Sequence, residues 1–173
     1  EIDRRMKADW ALVELLDTIP GIGKQTAQLV LAEIGSDMSR FPTAAHLASW
    51  AGLCPGNNES AGKRKSGRCN KGNEALRSAL IEAAHSASRN SRTYYHSLYW
   101  RIARRRGGNR ATVAVAHSLL IVCYFVLLRR EPYRELGPDY LDQQSKDRAV
   151  RNMKAKLESL GYAAEIVPRP NIA

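Results

Sequence analysis

The chain has 173 residues, 44% hydrophobic and 25% charged, which excludes a disordered polymer and allows one domain with an appendage. Its 27 Lys and Arg against 17 Asp and Glu leave a net charge of +10. Three cysteines, Cys54, Cys69 and Cys123, exclude a fully paired disulfide scaffold, and no CxxC or HxxxH spacing suggests a structural zinc. No N-terminal signal pattern is visible, and an opening Glu1 rather than Met reads as part of something longer.

Apolar spacing of three and four predicts helices nearly throughout. Residues 3–17 carry Met6, Trp10, Val13 and Leu16 at that spacing. Thr18-Ile19-Pro20-Gly21-Ile22-Gly23 breaks the pattern. It resumes over 24–34 with Ala27, Val30, Leu31 and Ile34, and Gly35 ends it. Thr43 is placed to cap a short helix through Trp50. Residues 52–72, rich in glycine and polar residues, read as a long loop, and long loops in compact domains are usually functional or disordered. Asn73 caps a helix to about Arg89, Ser91 one to Arg106, and Asn109 one to about Arg130, with Gly107-Gly108 as a break. Pro132 and Pro138 mark a linker, Ser145–Leu160 an amphipathic helix, and 164–167 a strand-leaning tail. With no internal repeat and no strand-rich sheet, the class is all-α.

Residues 111–128 carry no formal charge over 18 positions, the lower limit of a membrane span. His117 and Ser118 sit mid-segment and arginines flank both ends, so the segment reads as a central buried helix and no membrane partner is expected.

The charge is concentrated. Between Ser60 and Arg110 thirteen cations stand against Glu74 and Glu82, a net +11, which leaves −1 for the remainder. Such a segment repels itself unless an anion compensates, and nucleic-acid phosphate is the commonest such partner. A solvated basic face kept for solubility is the plainer reading, but solubility needs no clustering.

Two motifs carry chemistry. Pro20-Gly21-Ile22-Gly23-Lys24 joins two helices by a tight turn. Glycines there allow close backbone approach to a phosphate, and the following helix start offers N–H groups and its positive dipole end. Ile22 would plug the space between the helices. This resembles the helix-hairpin-helix motif of nucleic-acid-handling proteins; a hairpin that only packs has the same residues. The second motif is the basic loop with Lys63, Arg64, Lys65 and Arg68, followed by Lys71 and Arg77. Its cations would neutralise phosphate and stabilise a phosphoryl-transfer transition state. Ser60 and Ser66 are both candidate nucleophiles, and a serine hydroxyl needs activation by a base or local field.

Further along, Tyr94, Tyr95, His96, Tyr99 and Trp100 interleave with Arg89, Arg92, Arg101, Arg104, Arg105 and Arg106. Aromatics among arginines suit base stacking and phosphate contacts, or equally the core face of a helix. His85 and His117 fall in apolar stretches and read as packed histidines. Scattered carboxylates form no metal cluster, which argues against a two-metal nuclease in this segment.

TIPGIGKQTAQLVLAEIGS, RFPTAAHLASWAGLCPGNNESAGKRKSG and NKGNEALRSALIEAA, with the later PYRELGPDYLD and LESLGY, resemble the C-terminal transposase domain of the insertion-sequence 110 family. The similarity covers essentially the whole chain. It implies an RNA-guided DNA recombinase whose N-terminal RuvC-like domain, with its acidic metal-binding residues and Mg2+, is absent here. It implies DNA and a structured bridge RNA as partners, homo-oligomeric assembly and a cytoplasmic, nucleoid-associated setting. Residues 1–17 would end a coiled-coil segment, 18–131 would form the transposase domain, and 132–173 a C-terminal helical extension. The family's serine lies in a Ser-small-Gly stretch after Gly-Leu-x-Pro. Here those are Ser60-Ala61-Gly62 and Gly52-Leu53-Cys54-Pro55, so the resemblance implies Ser60 as nucleophile. Where relatives read Ser-Ser-Gly, this chain has Glu59-Ser60-Ala61-Gly62. A non-catalytic binding module and an oligomerisation module are the alternatives.

Overall fold

The helical periodicity is realised in α1 (Trp10–Asp17), α2 (Lys24–Ile34), α3 (Ala44–Trp50), α4 (Glu74–Arg89), α5 (Tyr94–Arg106), α6 (Gly108–Arg129) and α7 (Tyr140–Ser159). A 3-10 turn, Met38–Arg40, links α2 to α3. The computed structural model describes residues 9–55, 58–60, 63–66, 69–163, 165 and 167, with the backbone alone at 58–60 and 63–66. The expected helix over residues 3–8 lies outside the described residues, as does part of the expected tail at 164–167. The chain divides into two compact units, Glu1–Pro138 and Asp139–Ala173.

The first unit is built around α6. Its apolar run buries Val115, Ala116, Leu119, Leu120, Cys123 and Leu127. Burial pushes the Cys123 thiol up to about 12. Helices α1, α3, α4 and α5 all pack on α6. A helix long and apolar enough to cross a membrane is thus the centre of a helical bundle, as its sequence suggested. It ends at Arg130, whose left-handed backbone (φ 58°) caps the helix, while its guanidinium donates to the Ser36 carbonyl at 3.1 Å.

Against this centre α1 contributes Leu12, Val13 and Leu16, and α2 contributes Ala27, Val30, Leu31 and Ile34. Side-chain caps fix the entries of three helices. Thr43 Oγ1 accepts from His46 N, Asn73 Oδ1 from Leu76 N, and Thr93 Oγ1 from His96 N. Asn73 also donates to Glu33 Oε2 at 2.6 Å, tying the start of α4 to α2. Asp37 accepts from the backbone and hydroxyl of Ser39, which hold its carboxyl below the usual carboxylate range.

Three helix starts differ from the sequence expectation. Thr93, not Ser91, caps α5, because Thr93 Oγ1 also closes the preceding turn on the Asn90 carbonyl at 2.8 Å. Gly107 (φ 84°) separates α5 from α6, so Asn109 lies inside the first turn of α6. Helix α7 begins at Tyr140, and Ser145 sits in its interior with its hydroxyl turned back on the Leu141 carbonyl. His85, expected to be packed, is exposed on α4, and His117 is half-buried.

Residues 131–138 return along the first unit as a strap. Tyr133 N donates to Thr18 Oγ1 at 2.9 Å, and the Tyr133 ring stacks on buried Tyr95 with centroids 6.0 Å apart. Both phenols are pushed above their usual range, chiefly by burial. In the second unit, α7 buries no residue fully, and Val150 and Met153 are exposed.

Candidate nucleic-acid interface

The segment read as a loop contains a hairpin. β1 (Asn58–Ser60) pairs antiparallel with β2 (Lys63–Ser66). The pairing places Ser60 opposite Lys63, Glu59 opposite Arg64 and Asn58 opposite Ser66, with an irregularity between Asn58 and Glu59. The extra residue on β2 is Lys65. Two residues, Ala61 and Gly62, join the strands, the commonest connection length for such a ribbon. Strands this polar lack apolar alternation, so no periodic signal marked them.

Below the ribbon, Pro55 and Cys69 form an isolated antiparallel bridge. Below that, the backbones of Gly52 and Gly72 touch. A Cβ on Gly52, whose φ is +70°, would lie 2.8 Å from the Asn70 carbonyl oxygen and 2.9 Å from Gly72 N. A Cβ on Gly72 would run into Gly52 N and the Ala51 carbonyl carbon. The arm carrying Ser60 therefore leaves the body through a glycine neck, between the end of α3 and the Asn73 cap of α4. Cys54 and Cys69 stand beside this neck, both partly buried. Partial burial, and then the neighbouring Cys69, raise the Cys54 thiol.

Of the basic residues expected to act with Ser60, the ladder brings Lys63, Arg64 and Lys65 onto the same ribbon. Arg68 lies outside the described residues. Lys71 is exposed at the neck, and Arg77 is half-buried in the first turns of α4. Arg104, Arg105 and Arg106 are on a different element, exposed in the last turn of α5, where cations complement the carbonyl end of the helix.

The turn between α1 and α2 divides into two halves. Ile22 is buried in the core, and Pro20 is half-buried. Gly21 (φ +85°) faces α4, where a Cβ would meet the Ala83 carbonyl oxygen and, at 2.8 Å, Ala87 N. Its glycine is explained by packing. Gly23 is exposed, has extended backbone, and would offer a Cβ nothing within 4 Å. It is the N-cap of α2 and supplies no side-chain cap to the first amides of that helix. Lys24 lies beside them, its ammonium 5.7 Å from the Trp10 ring centroid.

The aromatic segment of α5 also divides. Tyr95 is buried, while Tyr94, His96 and Tyr99 are partly buried. His96 Nδ1 lies 2.7 Å from the Ser88 carbonyl. Trp100 is 48% exposed. Sequence reasoning left these rings undivided, and helical phase relative to buried Tyr95 was the available signal.

Among the described residues no group of three or more His, Cys, Asp or Glu could hold a metal ion. The Mg2+ implied by the resemblance, which the resemblance places in the RuvC-like domain, finds no ligand set in them.

The architecture thus defines an all-α domain bearing one basic β-ribbon arm. A family model described as "Transposase IS116/IS110/IS902 family" matches residues 13–100, from α1 through the arm into α5, and the chain belongs to that family. The chain is 35% identical over 123 residues to the transposase for insertion sequence element IS1111A of Coxiella burnetii, covering 69% of this chain and 34% of that protein. It is 34% identical over 122 residues to the pilin gene-inverting protein of Moraxella bovis, covering 69% and 38%. It is 36% identical over 121 residues to an uncharacterized 43.6 kDa protein of insertion element IS110 in Streptomyces coelicolor, covering 67% and 29%. The chain spans about a third of the length of these relatives.

Proposed function

We propose that this chain supplies the serine nucleophile for DNA strand cleavage and exchange in an RNA-guided insertion-sequence recombinase. Ser60 Oγ gives up its proton to a base and bonds to phosphorus. The bond from phosphorus to the leaving deoxyribose oxygen breaks, and that oxygen takes a proton. A deoxyribose hydroxyl of another strand then attacks the phosphoserine link, restoring Ser60 and joining the new strand. Lys63, Arg64, Lys65 and Arg68 hold the phosphate oxygens and stabilise the added negative charge. The helix start at Gly23 and Lys24 grips backbone phosphate, with Pro20, Gly21 and Ile22 fixing the turn. Lys71, Arg77 and the Arg104–Arg106 run carry further phosphate contacts.

The observation that carries this reading is the register of the arm. Ser60 ends β1 directly opposite Lys63, on a ribbon whose base is closed by the Gly52–Gly72 contact. A nucleophile on such a ribbon keeps its place relative to neighbouring cations. Family membership and the names of the relatives, a transposase and a gene-inverting protein, support DNA as the substrate. A structured guide RNA, assembly into homo-oligomers and action in the cytoplasm complete the proposal. The RuvC-like domain belongs to the longer protein.

The test uses the full-length protein carrying this chain, with its guide RNA and labelled DNA. The denatured reaction should contain DNA covalently attached at Ser60, mapped by mass spectrometry. Ser60→Ala should retain DNA and RNA binding and lose strand exchange. Strand exchange without an adduct would leave the chain a binding module.

A further inference from the structure

We infer that Trp100, with Arg104 beside it, forms a stacking site for an unpaired base of single-stranded nucleic acid. The inference rests on the nucleic-acid reading above and deepens it by naming what the basic end of α5 recognises.

The argument starts from helical phase. Tyr95, Leu98 and Tyr99 turn toward the core of the first unit. Trp100 falls on the other side, one turn before Arg104 and close in angle to it. Trp100 is the largest side chain on that face, and leaving half of an indole in water forfeits apolar burial. The ring is also held. Tyr99 meets it edge-on with centroids 5.4 Å apart and planes at 88°, and His96 meets it at 6.2 Å and 62°. His96 is in turn fixed by the Ser88 carbonyl at 2.7 Å. An exposed indole buttressed by two partly buried rings loses little freedom when a ligand lies on its open face.

Charge selects the ligand. Arg104, Arg105 and Arg106 are all exposed immediately after the ring, with Arg110 exposed just beyond the Gly107 break. This density of cations around an aromatic surface matches a polyanion that also carries flat rings. A duplex hides its base faces, so an indole that must stack requires an unpaired nucleotide. The base would lie on the indole, and a flanking phosphate would reach Arg104. A displaced DNA strand and an unpaired stretch of guide RNA present the same chemistry.

The test measures binding of labelled oligothymidine and oligouridine of about 20 nucleotides, and of a duplex of equal length, to the protein carrying this chain. Trp100→Ala should weaken one or both single strands about ten-fold and leave the duplex within about two-fold. Trp100→Phe should recover most of the loss. The salt dependence of binding should be unchanged in Trp100→Ala and shallower by about 0.7 in Arg104→Ala. A loss confined to oligothymidine assigns the site to a DNA strand, and a loss confined to oligouridine assigns it to RNA. Circular dichroism checks that the exposed ring is dispensable for folding. Equal effects on single strand and duplex, or none, overturn the stacking site while leaving the general reading intact. Absence of all binding by the unaltered protein overturns both.

Discussion

Gly52 and Gly72 lie backbone to backbone, with no space for a side chain on either. They are twenty positions apart in sequence and close the base of the arm that carries Ser60. Gly72→Ala would drive a methyl into the Gly52 amide and the Ala51 carbonyl, backbone groups that cannot rotate away. The neck must open, at a cost of about 1–3 kcal/mol. Ala51 and Leu53 on either side of Gly52 belong to the core, but most of the core comes from helices α1 to α6. The expected result is a helical protein with near-normal circular dichroism, a modestly lowered Tm and lost strand cleavage. Full cleavage activity in Gly72→Ala would show that the neck does not position the arm.

Two glycines of the α1–α2 turn give opposite expectations. Gly21→Ala forces a methyl onto Ala83 and Ala87 of α4 at a positive φ. It should destabilise the protein by about 2–4 kcal/mol in denaturant melts. Gly23→Asp places a carboxylate at an N-cap that has open space and no side-chain cap. It should raise stability by up to about 1 kcal/mol. The same carboxylate occupies the amides proposed to hold phosphate and should weaken DNA binding about ten-fold. Unchanged DNA affinity in a stabilised Gly23→Asp protein would remove the helix start from the interface.

The helices were legible because their apolar faces repeat at helical spacing, as Val30, Leu31 and Ile34 do on α2. The hairpin was not, because Asn58-Glu59-Ser60 and Lys63-Arg64-Lys65-Ser66 alternate nothing apolar. Gly52 and Gly72 were visible as glycines, but a contact twenty residues apart carries no local signature. Gly21 shows another limit of the sequence. The two alanines of α4 that a Cβ there would meet could not be tied to the turn before the packing was known. Cap choice failed where a turn competed, since Thr93 closes on Asn90 and shifts the start of α5 past Ser91.

The strap after α6 makes a sharper energetic prediction. Glu135 Oε1 accepts from Tyr94 N at 2.8 Å and from Gly137 N at 2.9 Å, capping the first turn of α5 from outside it. Glu135→Ala removes the acceptor of the Tyr94 amide at the start of α5 and loosens the strap that stacks Tyr133 on Tyr95. The expected loss is about 1–2 kcal/mol in urea or thermal melts. Glu135→Gln keeps an acceptor oxygen and should lose less than half as much. Equal losses in both variants would mean that charge, rather than the hydrogen bonds, secures the strap.

His117 supplies the pH dependence. It is half-buried on α6, and desolvation disfavours its charged form, so its folded pKa lies below the usual 6.5. The unfolded chain therefore binds the proton more readily than the folded one. Stability tied to this group is fully present above the unfolded pKa and is lost as pH falls through 6.5 toward the folded value. His117→Gln removes the titration. Between about pH 7.5 and about pH 5.5, the fall in unfolding free energy should be smaller in His117→Gln than in the unaltered protein. The other three histidines are common to both proteins, so the difference between the two curves isolates His117. Parallel curves would mean that the imidazole gains its charge in the folded protein as easily as in water.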